Sequence, residues 1–218
     1  MTAVGTRSTE SAEHIEFGVL TVAFDDRVLR PRAWTMLQST WAAEVVEVLP
    51  AGPILELCSG AGHIGLLAAV LSGRRLVQVD SDQGACRFAL LNAEQAGARD
   101  DVDVRCADLA SALGPSERFP LIIADPPYLL SADIGRFPDD PPGAIDGGPD
   151  GLDVIRRCVD VASNHLVDQG LCLLQIRGPS QLPALGSLAK SHSLAVRDVR
   201  IFDEERAVAL LGREGGQA

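Results

Sequence analysis

Ile54-Leu55-Glu56-Leu57-Cys58-Ser59-Gly60-Ala61-Gly62-His63-Ile64-Gly65 is the stretch on which the fold turns. The short apolar run Ile54 to Leu57 has the character of a buried strand. It ends in closely spaced glycines, and helical spacing from His63 to Leu71 begins at once. Strand, tight turn and helix together open an α/β unit. Gly60, Gly62 and Gly65 match GxGxxG, and Asp80 follows close to the ~20 residues downstream at which a ribose-binding acid is expected. Glycines without a Cβ let a nucleoside approach the backbone, and a carboxylate accepts both ribose hydroxyls. The turn by itself indicates nucleoside binding, with a nicotinamide oxidoreductase, a non-catalytic nucleoside-binding module and a turn used only for packing as competing readings.

The neighbouring elements repeat the strand-helix rhythm. Leu76 to Val79 reads as a strand ending at Asp80, Gln83 to Gln95 as a helix, Val102 to Cys106 as an alternating strand, and Leu121 to Ala124 as a buried strand ending at Asp125. In open α/β sheets ligands bind outside the carboxyl ends of the strands, so Glu56, Asp80, Asp108 and Asp125 are expected on one edge. A helix from Leu152 to Leu166, a strand from Leu171 to Ile176 and strands around Ala195 to Ile201 and Ala207 to Leu211 complete the count. The last two are too close to be anything but antiparallel. The predicted fold class is α/β: a Rossmann-like seven-stranded mixed sheet with an antiparallel C-terminal hairpin, plus a short N-terminal strand and helix extension. In that extension Ile15 to Phe24 alternates as one strand. Ala33 to Leu49 has helical spacing with Trp34, Leu37, Trp41, Val45 and Val48 on a face. The breaker-rich segment from Pro126 to Pro149 reads as a substrate-facing loop, in which Arg136 and Asp139 are expected to be solvated.

The chain has 218 residues, 46% of them hydrophobic and 22% charged, as in a globular protein with one sizeable core. Apolar stretches such as Leu66 to Leu71 fall well short of the ~20 residues of a membrane-spanning helix, and Met1 to Glu13 lacks a basic start and an apolar core, so a cytoplasmic protein is expected. Cys58, Cys86, Cys106, Cys158 and Cys172 form no CxxC pair and read as reduced thiols; His14, His63, His165 and His192 lie apart, so no metal site is predicted. A net charge of -11, with Lys190 the only lysine, opposes a phosphate backbone and disfavours nucleic acid as a partner.

Glu56 adds a test of ligand charge. An acid two residues before the turn would repel a dinucleotide's pyrophosphate, whereas a ligand carrying an ammonium and a sulfonium is attracted. Glu56-Leu57-Cys58-Ser59-Gly60-Ala61-Gly62 resembles the first motif of class I S-adenosylmethionine-dependent methyltransferases, with Cys58 where that family often has glycine. The resemblance implies S-adenosyl-L-methionine as cofactor. It implies cofactor contacts for Glu56, Cys58, Ser59, Gly60, Ala61 and Gly62, for the ribose acid Asp80 with Ser81, for Ala107-Asp108 at the adenine-contacting strand end, and for Asp125.

Asp125-Pro126-Pro127-Tyr128 ends a buried strand at the same edge. Two prolines fix φ and remove two donors, so the carbonyls there only accept. A planar NH2 is a poor nucleophile because its lone pair is delocalised. If the Asp125 carboxylate and a proline-segment carbonyl accept its two hydrogens, the lone pair is aimed at a methyl donor. Such preorganisation supplies about 7 to 11 kcal/mol of a barrier. Tyr128, the only tyrosine, would stack on the planar group and reach the sulfonium. The tetrapeptide, read here as the catalytic set Asp125, Pro126, Pro127 and Tyr128, resembles the (D/N)PP(Y/F/W) motif of enzymes that methylate planar nitrogens in protein glutamine, adenine or guanine.

Leu29-Arg30-Pro31-Arg32-Ala33-Trp34 and Asp146-Gly147-Gly148-Pro149-Asp150-Gly151-Leu152 together resemble the HemK-type protein glutamine methyltransferases over residues 19 to 211. That resemblance implies methylation of a protein glutamine amide. A base amino nitrogen of RNA or DNA and a small-molecule amide stay open, because Asp125 stands where the family usually has asparagine and serves either group. The bacterial members carry an N-terminal helical substrate-recognition domain, which is not expected within these 218 residues. The expected organisation is a flexible N-terminus over 1–13, a strand and helix extension packed on the core over 14–50, a class I methyltransferase domain over 51–212 and a flexible tail over 213–218. Gly215-Gly216-Gln217 has the triplet of the release-factor loop that such enzymes methylate. A Gly-Gly-Gln-containing factor is therefore a candidate protein partner and Gln217 a candidate for modification in cis, a plain tail being the simpler expectation.

Overall fold

The computed structural model describes residues 12–215, so Gln217 and the outermost parts of both predicted flexible ends lie outside the described residues. The alternation of Ile15 to Phe24 is divided between two strands, β1 (Glu13–Phe17) and β2 (Leu20–Phe24), which pair as an antiparallel hairpin around Gly18 at φ +61°. Alternation continues through so short a turn and does not reveal it. The first helix, α1 (Met36–Val46), is shorter than its pattern predicted, and Val48 is 84% exposed. Its buried face includes two polar residues. Gln38 Nε2 donates to the carbonyls of Ala124 and Leu173, both at 2.9 Å, and Ser39 Oγ donates to the Ile64 carbonyl at 2.9 Å. Buried polar groups are tolerated where they find such partners, and hydrophobic periodicity cannot anticipate them.

The central elements follow in order: β3 (Ile54–Leu57), α2 (His63–Ser72), β4 (Leu76–Asp80), α3 (Gln83–Gln95), β5 (Val102–Cys106) and β6 (Phe119–Ala124). After the loop come the short α4 (Pro142–Ile145), then α5 (Asp153–His165), β7 (Leu166–Ile176), α6 (Leu182–Ser191), β8 (Leu194–Asp203) and β9 (Arg206–Arg213). Seven strands form one mixed sheet in the order β5-β4-β3-β6-β7-β9-β8, with β9 antiparallel to both its neighbours. The expected Rossmann-like architecture with antiparallel C-terminal strands is the one observed. Apolar clusters cover the two sheet faces, one joined by the N-terminal hairpin with α1, α2 and α3, the other by α5 and α6.

Strand order reverses between β3 and β6, since β4 and β5 extend to one side and β7 to the other. A crevice opens at such a switch point. Leu57 is in register with Ala124, so Cys58 and Asp125 leave the sheet side by side. Among the described residues all five cysteines are free thiols, and no helix is long and apolar enough to cross a membrane.

Candidate active site

The turn after β3 is held by its own backbone and by Asp80. Gly62 N–H donates to the Ser59 carbonyl at 2.7 Å, while Asp80 accepts from Gly60 N–H at 2.8 Å and from Asp82 N–H at 2.9 Å. Burial raises the Asp80 carboxyl above its usual range, and these N–H groups oppose the rise. Each Asp80 oxygen retains a lone pair for a hydroxyl. Cys58 sits at φ +57°, the left-handed region that favours glycine. That conformation accounts for glycine being common at this position in the resembling family.

Glu56 is 2% exposed and lies beneath the turn, not on a cavity wall. Its carboxyl accepts from Gly65 N–H at 2.9 Å and from Gln78 Nε2 at 2.6 Å. Burial, only partly offset by these bonds, pushes it up to about 7. The folded state therefore holds a proton on Glu56 between its ordinary pKa of 4.5 and about 7, where the unfolded chain has lost it. Glu56 consequently lowers stability as pH rises through that window. Urea unfolding at pH 5 and pH 8 should show the loss, and Glu56→Gln should show less of it; an equal fall in both proteins would disprove the assignment.

Cys58, Ser59, Gly60, Ala61, Asp80, Ser81, Asp108 and Asp125 line one cavity of about 560 Å³. Glu56, Gly62 and Ala107 stand behind its wall; Ala107 N–H donates to the Asp80 carbonyl at 2.9 Å. Arg27 to Arg30, Arg32 and Thr35 supply a wall absent from the predicted site set. Its sequence signal was the Leu29-to-Trp34 pattern, which carries no chemistry until the fold brings it to the sheet edge. His63 also lines the cavity; burial pushes it down to about 3, so it is neutral. A Cβ at Gly60 would meet nothing within 4 Å, so the turn presents an open face to a ligand.

Charge around this cavity selects the ligand. Arg27 pairs with Asp25, Arg30 with Glu13 at 3.1 Å, Arg32 with Asp140 at 2.6 Å, and Arg157 with Asp108 at 2.5 Å. Among the described residues Asp80 and Asp125 have no cationic partner within ion-pair distance. A like charge 4 Å away costs about 4 kcal/mol at an effective dielectric of ~20, which disfavours a pyrophosphate and favours a cation.

Asp125, Pro127, Arg32 and Thr35 are shared with a second cavity of about 280 Å³, which is also lined by Pro126, Tyr128, Trp34, Arg136 and Phe137. Asp125 has no hydrogen-bond or ion-pair partner among the described residues, and burial pushes its carboxyl up to about 7. Tyr128 is half-buried; burial, then Asp125, raises its phenol, which stays protonated. Arg206 lies 4.2 Å over the Trp34 ring and Arg32 5.7 Å from it, giving one wall planar character. Arg136 is exposed, as expected, and also borders this cavity. The Asp146-to-Leu152 stretch folds back on the Asp125-to-Tyr128 corner: Gly147 N–H donates to the Leu129 carbonyl at 2.8 Å, and a Cβ on Gly147 would come within 2.8 Å of Tyr128 Cα. Asp150 accepts from Leu152 N–H at 3.0 Å just before α5.

Residues 38–135 match the family described as methyltransferase small domain. The uL3 glutamine methyltransferase of Burkholderia pseudomallei is 30% identical over 165 residues, 70% of this chain and 54% of that protein. The release factor glutamine methyltransferase of Mycolicibacterium smegmatis is 34% identical over 167 residues, 73% of this chain and 57% of that protein. The chain thus spans about half the length of these curated relatives. In fold it is similar to the hMettl16 catalytic domain (TM-score 0.71, 14% identity, 91% of this chain and 77% of that one). It is also similar to a ribosomal protein L11 methylase from Lactobacillus delbrueckii subsp. bulgaricus (TM-score 0.65, 15% identity, 85% of this chain and 81% of that one).

Proposed function

Because this chain belongs to the class I S-adenosylmethionine-dependent methyltransferases, we propose that its two cavities meet to methylate a planar nitrogen, the side-chain amide of a protein glutamine. One observation carries the reading: Asp125, a carboxylate without a partner, faces both cavities. S-adenosylmethionine, when bound, supplies an electrophilic methyl group on a cationic sulfur. The Cys58-to-Ala61 turn and Asp80 hold the nucleoside side, and the unpaired acids complement the positive charge. Asp125 and a carbonyl of the proline segment accept the two amide hydrogens, turning the nitrogen lone pair toward the first cavity. Tyr128 and Trp34 flank the flat group, and their stacking excludes water from it. Asp125 is within reach to take the proton that the nitrogen sheds. The curated relatives' names support glutamine as acceptor, and the acid balance of the chain supports a protein over a nucleic acid.

Two measurements test the reading. S-adenosylhomocysteine at a hundredfold excess over its Kd should stabilise the fold by about 2.7 kcal/mol, while NADH leaves the melting temperature unchanged. A tritiated-methyl transfer screen should then label lysate protein rather than total RNA. Label in RNA alone would replace the amide by a base amino group, and a response to NADH alone would end the methyltransferase reading.

A further inference from the structure

We propose that Gln181 is a positioning residue for the acceptor corner: its amide fixes the place of the Tyr128 backbone relative to the end of the substrate loop. The inference rests on the function proposed above for Asp125-Pro126-Pro127-Tyr128. Gln181 closes a short 3-10 turn before α6 and is 9% exposed. Its Nε2 donates to the Gly151 carbonyl at 3.2 Å and, at the edge of bonding distance, to the Tyr128 carbonyl at 3.5 Å. Its Oε1 accepts from Arg177 N–H at 2.7 Å. One side chain therefore ties together three segments: the acceptor corner, the end of the loop and the end of β7.

The packing leaves these groups little room to drift. A Cβ on Gly151 would come within 2.6 Å of the Tyr128 oxygen and 3.0 Å of Gln181 Nε2, so only glycine at 151 lets the amide and both carbonyls meet. Arg177, whose amide Gln181 holds, itself borders the second cavity and pairs with Asp133 of the loop at 3.1 Å. Substitution by an apolar residue would leave two carbonyls and one N–H in a buried place without partners, and they would move to find others. A displacement of about 1 Å at a reacting centre costs on the order of a hundredfold in rate. Gln181 touches no reacting atom. It acts through Tyr128, which is what makes it a positioning residue.

Tyr128 is the only tyrosine in the chain, so 3-fluorotyrosine gives a single fluorine resonance that reports this corner and needs no acceptor. In the full chain saturated with S-adenosylhomocysteine, Gln181→Leu should shift or broaden that resonance while the calorimetric Kd stays within about threefold. Methyl incorporation into lysate protein should fall by on the order of tenfold or more. Gln181→Glu keeps an acceptor for the Arg177 amide but loses both donors. It should move the resonance the same way, and it serves as the test if the leucine variant does not fold. An unchanged resonance in the folded variants overturns the proposal. So does a shift accompanied by an equal loss of S-adenosylhomocysteine affinity, which would mark general loosening. Should the wild-type protein transfer no methyl group to any acceptor, the functional reading fails while the fluorine result still judges Gln181.

Discussion

Asp125→Ala is expected to reduce methyl transfer by on the order of a hundredfold to a thousandfold, with S-adenosylhomocysteine affinity changed by no more than about threefold. The asymmetry follows from position. Asp125 faces both cavities; on the proposed reading the cofactor has Asp80 and the glycine turn as further anchors, whereas the other carboxylates lining the second cavity among the described residues, Asp133, Asp140 and Glu205, are each held by an arginine. Stability should move the other way. Burial has pushed the unpartnered carboxyl up to about 7, so an ionised Asp125 at pH 8 is a cost to the folded state that alanine removes. The melting temperature of Asp125→Ala at pH 8 should equal or exceed that of the wild type. In the wild type kcat/KM should rise as pH passes about 7, because only the ionised carboxyl can take up the proton that the nitrogen sheds. Asp125→Asn should retain part of the activity and lose that pH limb, while Glu56→Gln should keep it. A large drop in cofactor affinity on removing Asp125 would instead make it a cofactor ligand and leave the acceptor without its main partner.

Gly62→Ala should have the second largest effect, this time on folding and cofactor binding together. Gly62 sits at φ +77°, where an L side chain costs about 1 to 2 kcal/mol. A Cβ there would also stand 2.6 Å from Gln78 Nε2 and 2.9 Å from the Ala89 Cβ, and overpacking of this kind costs about 1 to 3 kcal/mol. Gln78 cannot simply yield, because its amide donates to Glu56 at 2.6 Å and to the Gly62 carbonyl at 2.8 Å. The expected loss is about 2 to 5 kcal/mol, read by urea unfolding, with S-adenosylhomocysteine binding weakened in the fraction that stays folded. A variant of wild-type stability and affinity would show that the turn relaxes freely and that its geometry does not set the cofactor site.

Local patterns carried much of this molecule. The apolar run into Gly60 and Gly62, the acid at Asp80 and the strand ending at Asp125 were legible because each depends on neighbours within a few residues: backbone conformation, side-chain period and the lack of a Cβ. Elsewhere the pattern misled. Ile15 to Phe24 alternates through a hairpin turn, and the helical face drawn from Trp34 to Val48 kept Leu37, Trp41 and Val45 against the core, lost the exposed Val48 and gained the buried Gln38 and Ser39. Those polar residues are buried because carbonyls of Ala124, Leu173 and Ile64 await them, and those partners are 25 or more residues away in the chain.

Sequence alone determined the strand and helix succession from Ile54 to Ala124, the glycine turn and the placing of Asp125-Pro126-Pro127-Tyr128 at a strand end, since all three are properties of short segments. Tertiary structure decided which charges remain unpaired, that Arg27 to Arg30, Arg32 and Thr35 wall the larger cavity, that Glu56 sits beneath the turn, and that Gln181 reaches the Tyr128 carbonyl. Each of these depends on what a side chain meets across the fold. Burial and pairing are set by the sum of all contacts, and no window along the chain contains that sum.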